Sequence, residues 1–139
     1  MSRFVLDASV VLAWCFPDEN NALASHVADL FKQGHTAIVP SFWPHEVLNA
    51  LLAGERRKRI SPTLTRSFLQ DLALVPIELQ TMPTLDVFVR IQSLSREHTL
   101  TAYDAAYLDL ALERDLHFAT LDEALIRACK KENVVLLTA

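Results

Sequence analysis

Short apolar runs constrain this chain most. Arg3–Leu6 (RFVL), Thr36–Val39 (TAIV) and Val134–Leu137 (VVLL) are each four residues, almost wholly apolar, with no polar alternation. A strand of that kind needs both faces covered, which is the situation of a parallel strand between two helical layers. Amphipathic segments separate the runs. Ala8–Phe16 reads as a helix stopped by Pro17. Asp18 is the expected cap of a second helix, Glu19–Gln33, closed by Gly34. Pro44 marks the first turn of a helix running to about Arg59, and Ser61-Pro62 opens another to about Leu74. Val75–Leu79 reads as a third strand. Val87, Phe88, Ile91 and Leu94 form one helical stripe, and Thr101–Arg114 is the next helix. His117–Ala119 is a strand and Asp122–Lys131 a helix, before the last apolar run. Strands alternating with helices predict an α/β fold, a three-layer α/β/α sandwich with a mainly parallel central sheet. At 139 residues this is one domain, 1–139, without repeats or linkers.

Composition removes several functions. Gly34 and Gly54 are the two glycines, where average usage of about 7% gives roughly ten. A phosphate-cradling P-loop or a dinucleotide fingerprint needs two or three within a few residues, so neither exists here. A net charge of −4 is not the footprint of a dedicated DNA-binding domain. Cys15 and Cys129 have no zinc spacing and read as buried free thiols of a reducing cytosol. His45-Glu46 begins like a zinc-protease motif, but Asn49 stands where its second histidine belongs. Phe4–Phe16 is apolar after Arg3, yet Asp7 interrupts it and it is too short to span a bilayer. The expectation is a cytoplasmic protein that does not engage membranes.

In open parallel sheets, sites form beyond the carboxyl ends of the strands. Four acids from distant segments fall at that edge. Asp7 follows the first strand, and Glu46 lies on the first turns of the helix after the second. Asp104 lies on the first turn of the helix from Thr101, and Asp122 follows the strand His117–Ala119. Each has an ordinary reading alone. Asp7 and Asp122 suit helix caps, Thr101 and Asp104 have capping-box spacing, and Glu is a good helix former. Asp104, however, shares a stripe with Ala105, Leu108, Ala111 and Leu112, and an acid on an inward face needs a partner. Two carboxylates about 4 Å apart repel by roughly 4 kcal/mol at an effective dielectric near 20. A cluster of such groups therefore calls for protonation or a cation, and an all-oxygen set selects Mg²⁺ or Mn²⁺. The chemistry that follows is metal-assisted phosphodiester hydrolysis.

FVLDASV (4–10), PSFWPHEVLNAL (40–51), TAYDAAYLDLALERDL (101–116) and FATLDEAL (118–125) occur in one order along the chain. In that ordered set the sequence resembles PIN-domain nucleases, in particular VapC-type ribonuclease toxins of bacterial toxin–antitoxin pairs. The resemblance implies an endoribonuclease acting on single-stranded RNA and leaving 5′-phosphate and 3′-hydroxyl ends. It implies Asp7 and Asp104 as central ligands of one or two Mg²⁺ or Mn²⁺ ions. Glu46 and Asp122 would complete the shell or position water. Thr120, Ser9 and Asn49 match polar positions that flank the site. It further implies a homodimer and inhibition by a small antitoxin protein, with operator DNA bound only through that antitoxin.

Two weaker features remain. Arg56, Arg57, Lys58 and Arg59 form a basic run at a helix end, either a solvated face or an RNA-phosphate contact. Trp14, Phe16 and Trp43 suit core or rim packing better than base stacking. Other readings are a metal-dependent phosphatase or a non-catalytic partner-binding protein of the same fold. Asp7-Ala8-Ser9 lacks the Asp-x-Asp of haloacid-dehalogenase-type phosphatases, and retention of all four acids argues against a purely binding role.

Overall fold

The computed structural model describes residues 1–19 and 21–139. In chain order the elements are β1 (Arg3–Leu6), α1 (Ala8–Cys15), a 3-10 turn (Pro17–Glu19), α2 (Ala22–Lys32) and β2 (Thr36–Val39). Then come α3 (Trp43–Arg56), α4 (Pro62–Leu72), β3 (Ile77–Leu79), α5 (Leu85–His98), α6 (Ala102–Arg114), β4 (His117–Ala119) and α7 (Glu123–Lys131). Among the described residues the strands form one parallel sheet in the order β3-β2-β1-β4.

This order explains the layers. The chain steps outward from β1 to β2 to β3, then crosses back to place β4 on the other side of β1. Right-handed crossovers put the helices of the outward path on one face and those of the return path on the other. The packing agrees: α1 lies against α2 and α3, whereas α6 lies against α5 and α7. The fold is a three-layer α/β/α sandwich. Phe4, Val5 and Leu6 of β1, and Ala37, Ile38 and Val39 of β2, are all fully buried, as continuous apolar strands between two layers must be. The helix α1 is apolar on most sides and correspondingly buried. Strand β3, at the edge, exposes Glu78 and Leu79.

Several expected boundaries shift. The second helix starts at Ala22 with Asn21 as its cap, whose side chain accepts from the Ala24 N–H at 2.9 Å. Asp18 does not cap it; both its carboxylate oxygens accept from Arg59 at 2.9 Å. Asn20, within the expected helix, lies outside the described residues. The helix from Trp43 ends at Arg56 rather than Arg59, because Lys58 takes a left-handed conformation with φ 60°. The expected last strand reduces to a single parallel bridge, Phe118 to Leu136, beside β4, and Val135 is exposed. Trp14 is half-buried and donates to the Ala24 carbonyl; Phe16 and Trp43 are buried in the core. Cys15 and Cys129 are free; Cys15 is half-buried rather than buried, and burial pushes the Cys129 thiol up to about 12. No helix among the described residues is long and apolar enough to cross a membrane.

Candidate metal centre at the sheet edge

The order of strand addition reverses between β1 and β4, and the crevice beyond their carboxyl ends is the switch point where such sheets hold ligands. Asp7 leaves β1 there, and its backbone N–H continues the sheet pairing to the Ala119 carbonyl at 2.9 Å. Thr120 and Asp122 follow β4. The helices α3 and α6 start at the same edge, which brings Glu46 and Asp104 in on their first turns. Asp7, Glu46, Asp104 and Asp122 line one open concavity of about 410 Å³, together with Ala8, Ser9, Leu12 and Leu121. That lining contains four carboxylates and no lysine, arginine or histidine.

Asp7 is 7% exposed. It occupies the cap position of α1 but makes no side-chain cap bond. Its Oδ2 instead accepts from the Ser9 hydroxyl and from the Thr120 hydroxyl, both at 2.7 Å. Ser9 Oγ in turn accepts from the Leu121 N–H, and Thr120 Oγ1 from the Asp122 N–H, each at 3.1 Å. These bonds tie the β1–α1 junction to the β4–α7 junction. They leave Asp7 Oδ1 without a hydrogen bond from the described residues. Glu46 repeats the pattern: Oε1 accepts from the buried Tyr107 hydroxyl at 2.5 Å. Asp122 Oδ1 caps α7 by accepting from the Leu125 N–H at 2.9 Å. In each of these three acids one oxygen accepts a side-chain or backbone hydrogen bond. For Asp104, the Thr101 hydroxyl accepts from its backbone N–H at 3.1 Å.

The electrostatics are those of a site short of positive charge. Burial raises the Asp7 carboxyl, the Ser9 and Thr120 bonds oppose that rise, and Asp122 adds to it. Burial raises Glu46 as well, against the Tyr107 bond, with Asp7 and Asp104 adding repulsion. Asp104 is raised to about 6, by desolvation first and then by Asp122 and Asp7. Each perturbed acid thus carries repulsion from another member of the group. All donors are hard oxygens, so the set fits Mg²⁺ or Mn²⁺ rather than a thiolate- or imidazole-seeking metal.

Other expected site residues take different places. Ser9 and Thr120 meet the acids directly. Asn49 lies outside the acidic concavity, in an adjoining groove with Phe42, His45, Glu46, Leu48, Leu52 and Tyr103. Arg56, Arg57 and Lys58 are exposed at the end of α3. Arg59 is committed to Asp18 and Glu19 and lies over the Phe16 ring at 4.3 Å, so its charge is largely answered within the fold. A tighter acid–histidine group, Glu97, His98 and Glu132, lies elsewhere. There His98 Nε2 meets Glu132 Oε1 at 2.8 Å, pinning the end of α5 to the end of α7, and this pair accounts for the group without a ligand. Tyr107 is the site residue not picked out from sequence. Its signal was present: it follows Asp104 by three positions, hence on the same helical face.

Comparison with known proteins agrees with this architecture. The PIN domain family model matches residues 4–131. Ribonuclease VapC3 of Pyrobaculum aerophilum is 28% identical over 123 residues, covering 88% of this chain and 92% of that protein. The crystal structure of PAE2754 from Pyrobaculum aerophilum superposes with a TM-score of 0.70 at 22% identity, over 91% of this chain and 84% of that one. That of FitAcB from Neisseria gonorrhoeae gives 0.62 at 16% identity, over 97% and 96%. At these identities the two structures speak to fold alone. The family match spans nearly the whole chain and includes all four acids: this protein belongs to the PIN domain family.

Proposed function

We propose that this chain is a Mg²⁺- or Mn²⁺-dependent endoribonuclease that hydrolyses phosphodiester bonds in single-stranded RNA, and that it is the toxin of a toxin–antitoxin pair. The observation that carries the reading is the acidic concavity itself. Four carboxylates converge there without a counter-charge, three with one oxygen restrained. Family membership and the likeness to a protein named as a ribonuclease support it.

Asp7 and Asp104 are the central ligands in this reading; Glu46 and Asp122 complete the shell or hold a water by hydrogen bonding. Ser9 and Thr120 fix the Asp7 carboxylate from its other oxygen. A divalent cation held there supplies Lewis acidity and neutralises charge on the phosphoryl oxygens. Within the basic run, Arg56, Arg57 and Lys58 are exposed and would meet RNA phosphates. A homodimer and a small antitoxin are the expected protein partners. Exposed apolar side chains at Met82, Leu85, Phe88, Val89 and Tyr103 support a protein-binding surface. Operator DNA would be bound only through the antitoxin.

The test is incubation of purified protein with a mixed RNA pool in Mg²⁺, in Mn²⁺ and in EDTA, beside Asp7→Ala and Asp104→Ala. Cuts that require metal and vanish in both folded variants are expected. Full cleavage in either folded variant would sink the site assignment. Intact RNA in every lane would favour a binding role.

A further inference from the structure

We propose that Tyr107 is a positioning residue of the acidic site: its hydroxyl orients Glu46 and thereby sets how tightly the four carboxylates hold a divalent cation. The inference rests on the reading of the quartet as a cation site.

The tyrosine ring has no freedom of its own. It is fully buried. It stacks on Phe118 with centroids 5.8 Å apart and an interplanar angle of 17°, and Phe42 meets it edge-on at 5.7 Å and 90°. Packing alone explains an aromatic ring at this place but not a hydroxyl, since a buried hydroxyl is costly unless it is hydrogen-bonded. Both bonds of this hydroxyl go to the site. It donates to Glu46 Oε1 at 2.5 Å and accepts from the Ala8 N–H at 3.4 Å. Ala8 follows Asp7 and opens α1, so its N–H is one of those a helix start leaves without an intrahelical partner. One oxygen atom on α6 therefore links α3, which carries Glu46, to the junction that carries Asp7. Its own helix carries Asp104.

Glu46 needs such a restraint. Glutamate has three side-chain torsions, and ordering it costs more entropy than ordering aspartate. Asp7 is held by two hydroxyls and Asp122 by the backbone N–H it caps. For Glu46 the Tyr107 hydroxyl does the corresponding work, leaving Oε2 as the ligand atom. Hydrogen bonds to ligating carboxylates typically change metal affinity or activity about 10–100-fold.

The test is a double-mutant cycle on the full-length protein: Tyr107→Phe, Glu46→Ala, and both together. Mn²⁺ binding is read by titration calorimetry and folding by circular dichroism and thermal melting. Tyr107→Phe is expected to fold and to weaken Mn²⁺ binding about 10-fold. In the Glu46→Ala background the same change should alter affinity by less than about two-fold, because the 3.4 Å bond from Ala8 is long and the short bond to Glu46 carries the effect. A tyrosine that merely supported the core would lower the melting temperature and weaken binding equally in both backgrounds, which would overturn the proposal. Unchanged affinity in Tyr107→Phe would also overturn it. A wild-type protein that binds no Mn²⁺ would instead overturn the reading of the quartet. Should Tyr107→Phe fail to fold, the wild-type protein still decides. The chain has two tyrosines, Tyr103 and Tyr107. With 3-fluorotyrosine incorporated, saturating Mg²⁺ should shift the Tyr107 fluorine resonance, and an unmoved resonance would refute the link.

Discussion

Replacing Asp104 by asparagine should stabilise the metal-free protein. The carboxyl rises from 3.8 to about 6 on folding. At 1.36 kcal/mol per pH unit that corresponds to roughly 3 kcal/mol, the disadvantage of keeping this acid charged in the fold. Asp104 is only half-buried, so solvent screening reduces the figure to about 1.5 kcal/mol. The sign follows from proton linkage. The folded state holds the proton to higher pH than the unfolded state, so stability falls as pH rises from near 3.8 through about 6. The disadvantage is absent at low pH and complete near pH 8. Asparagine mimics the neutral carboxyl without titrating. In EDTA at pH 8, Asp104→Asn should melt about 5 °C above wild type, taking roughly 3–4 °C per kcal/mol for a chain of this size. At pH 5 the gain should shrink to about half. Added Mg²⁺ should raise the melting temperature of wild type and raise that of the variant less, since a ligand stabilises the state that binds it. Differential scanning calorimetry across this pH range, with and without metal, reads all three effects. A variant that melts at or below wild type in EDTA at pH 8 would refute the claim that burial, with the neighbouring acids, disfavours the charged form of this carboxyl.

Two further outcomes follow from other contacts. Ser9→Ala and Thr120→Val each remove a 2.7 Å hydrogen bond to Asp7 Oδ2, and each should cut RNA hydrolysis at limiting Mg²⁺ about 10-fold while leaving the circular dichroism spectrum unchanged. Gly54→Ala would place a Cβ 2.8 Å from Phe16 Cζ and 3.2 Å from Ile60 Cγ2, and this overpacking should cost about 1–3 kcal/mol in urea denaturation.

What could be read from the sequence was what the chain settles locally. Arg3–Leu6 and Thr36–Val39 form strands over the residues expected, because a short apolar run suits a strand covered on both faces. The gathering of Asp7, Glu46, Asp104 and Asp122 at one edge was legible for a related reason: in a parallel sheet every strand delivers its next residues to the same side. Long-range choices were not legible. Asp18 and Asn21 are both good caps, and Arg59, forty-one residues away, takes Asp18 out of the competition. Asp7 stands where a cap would, but a hydroxyl 113 residues distant turns its carboxylate toward the site. Val134–Leu137 is apolar enough for a strand, yet its backbone pairs only around Phe118, leaving a single bridge. Tyr107 was not picked out, because its hydroxyl meets a partner sixty-one residues away, which local spacing does not show.

The central claim is that four acids from four distant segments make one cation site. Titration of the metal-free protein with Mn²⁺, followed by electron paramagnetic resonance of the free ion, tests it most directly when repeated on Asp7→Asn and Asp104→Asn. Mn²⁺ uptake by wild type and its loss in both variants, each still folded by circular dichroism, are expected. Wild-type protein that takes up no Mn²⁺, or folded variants that bind it as wild type does, would refute the shared cation site.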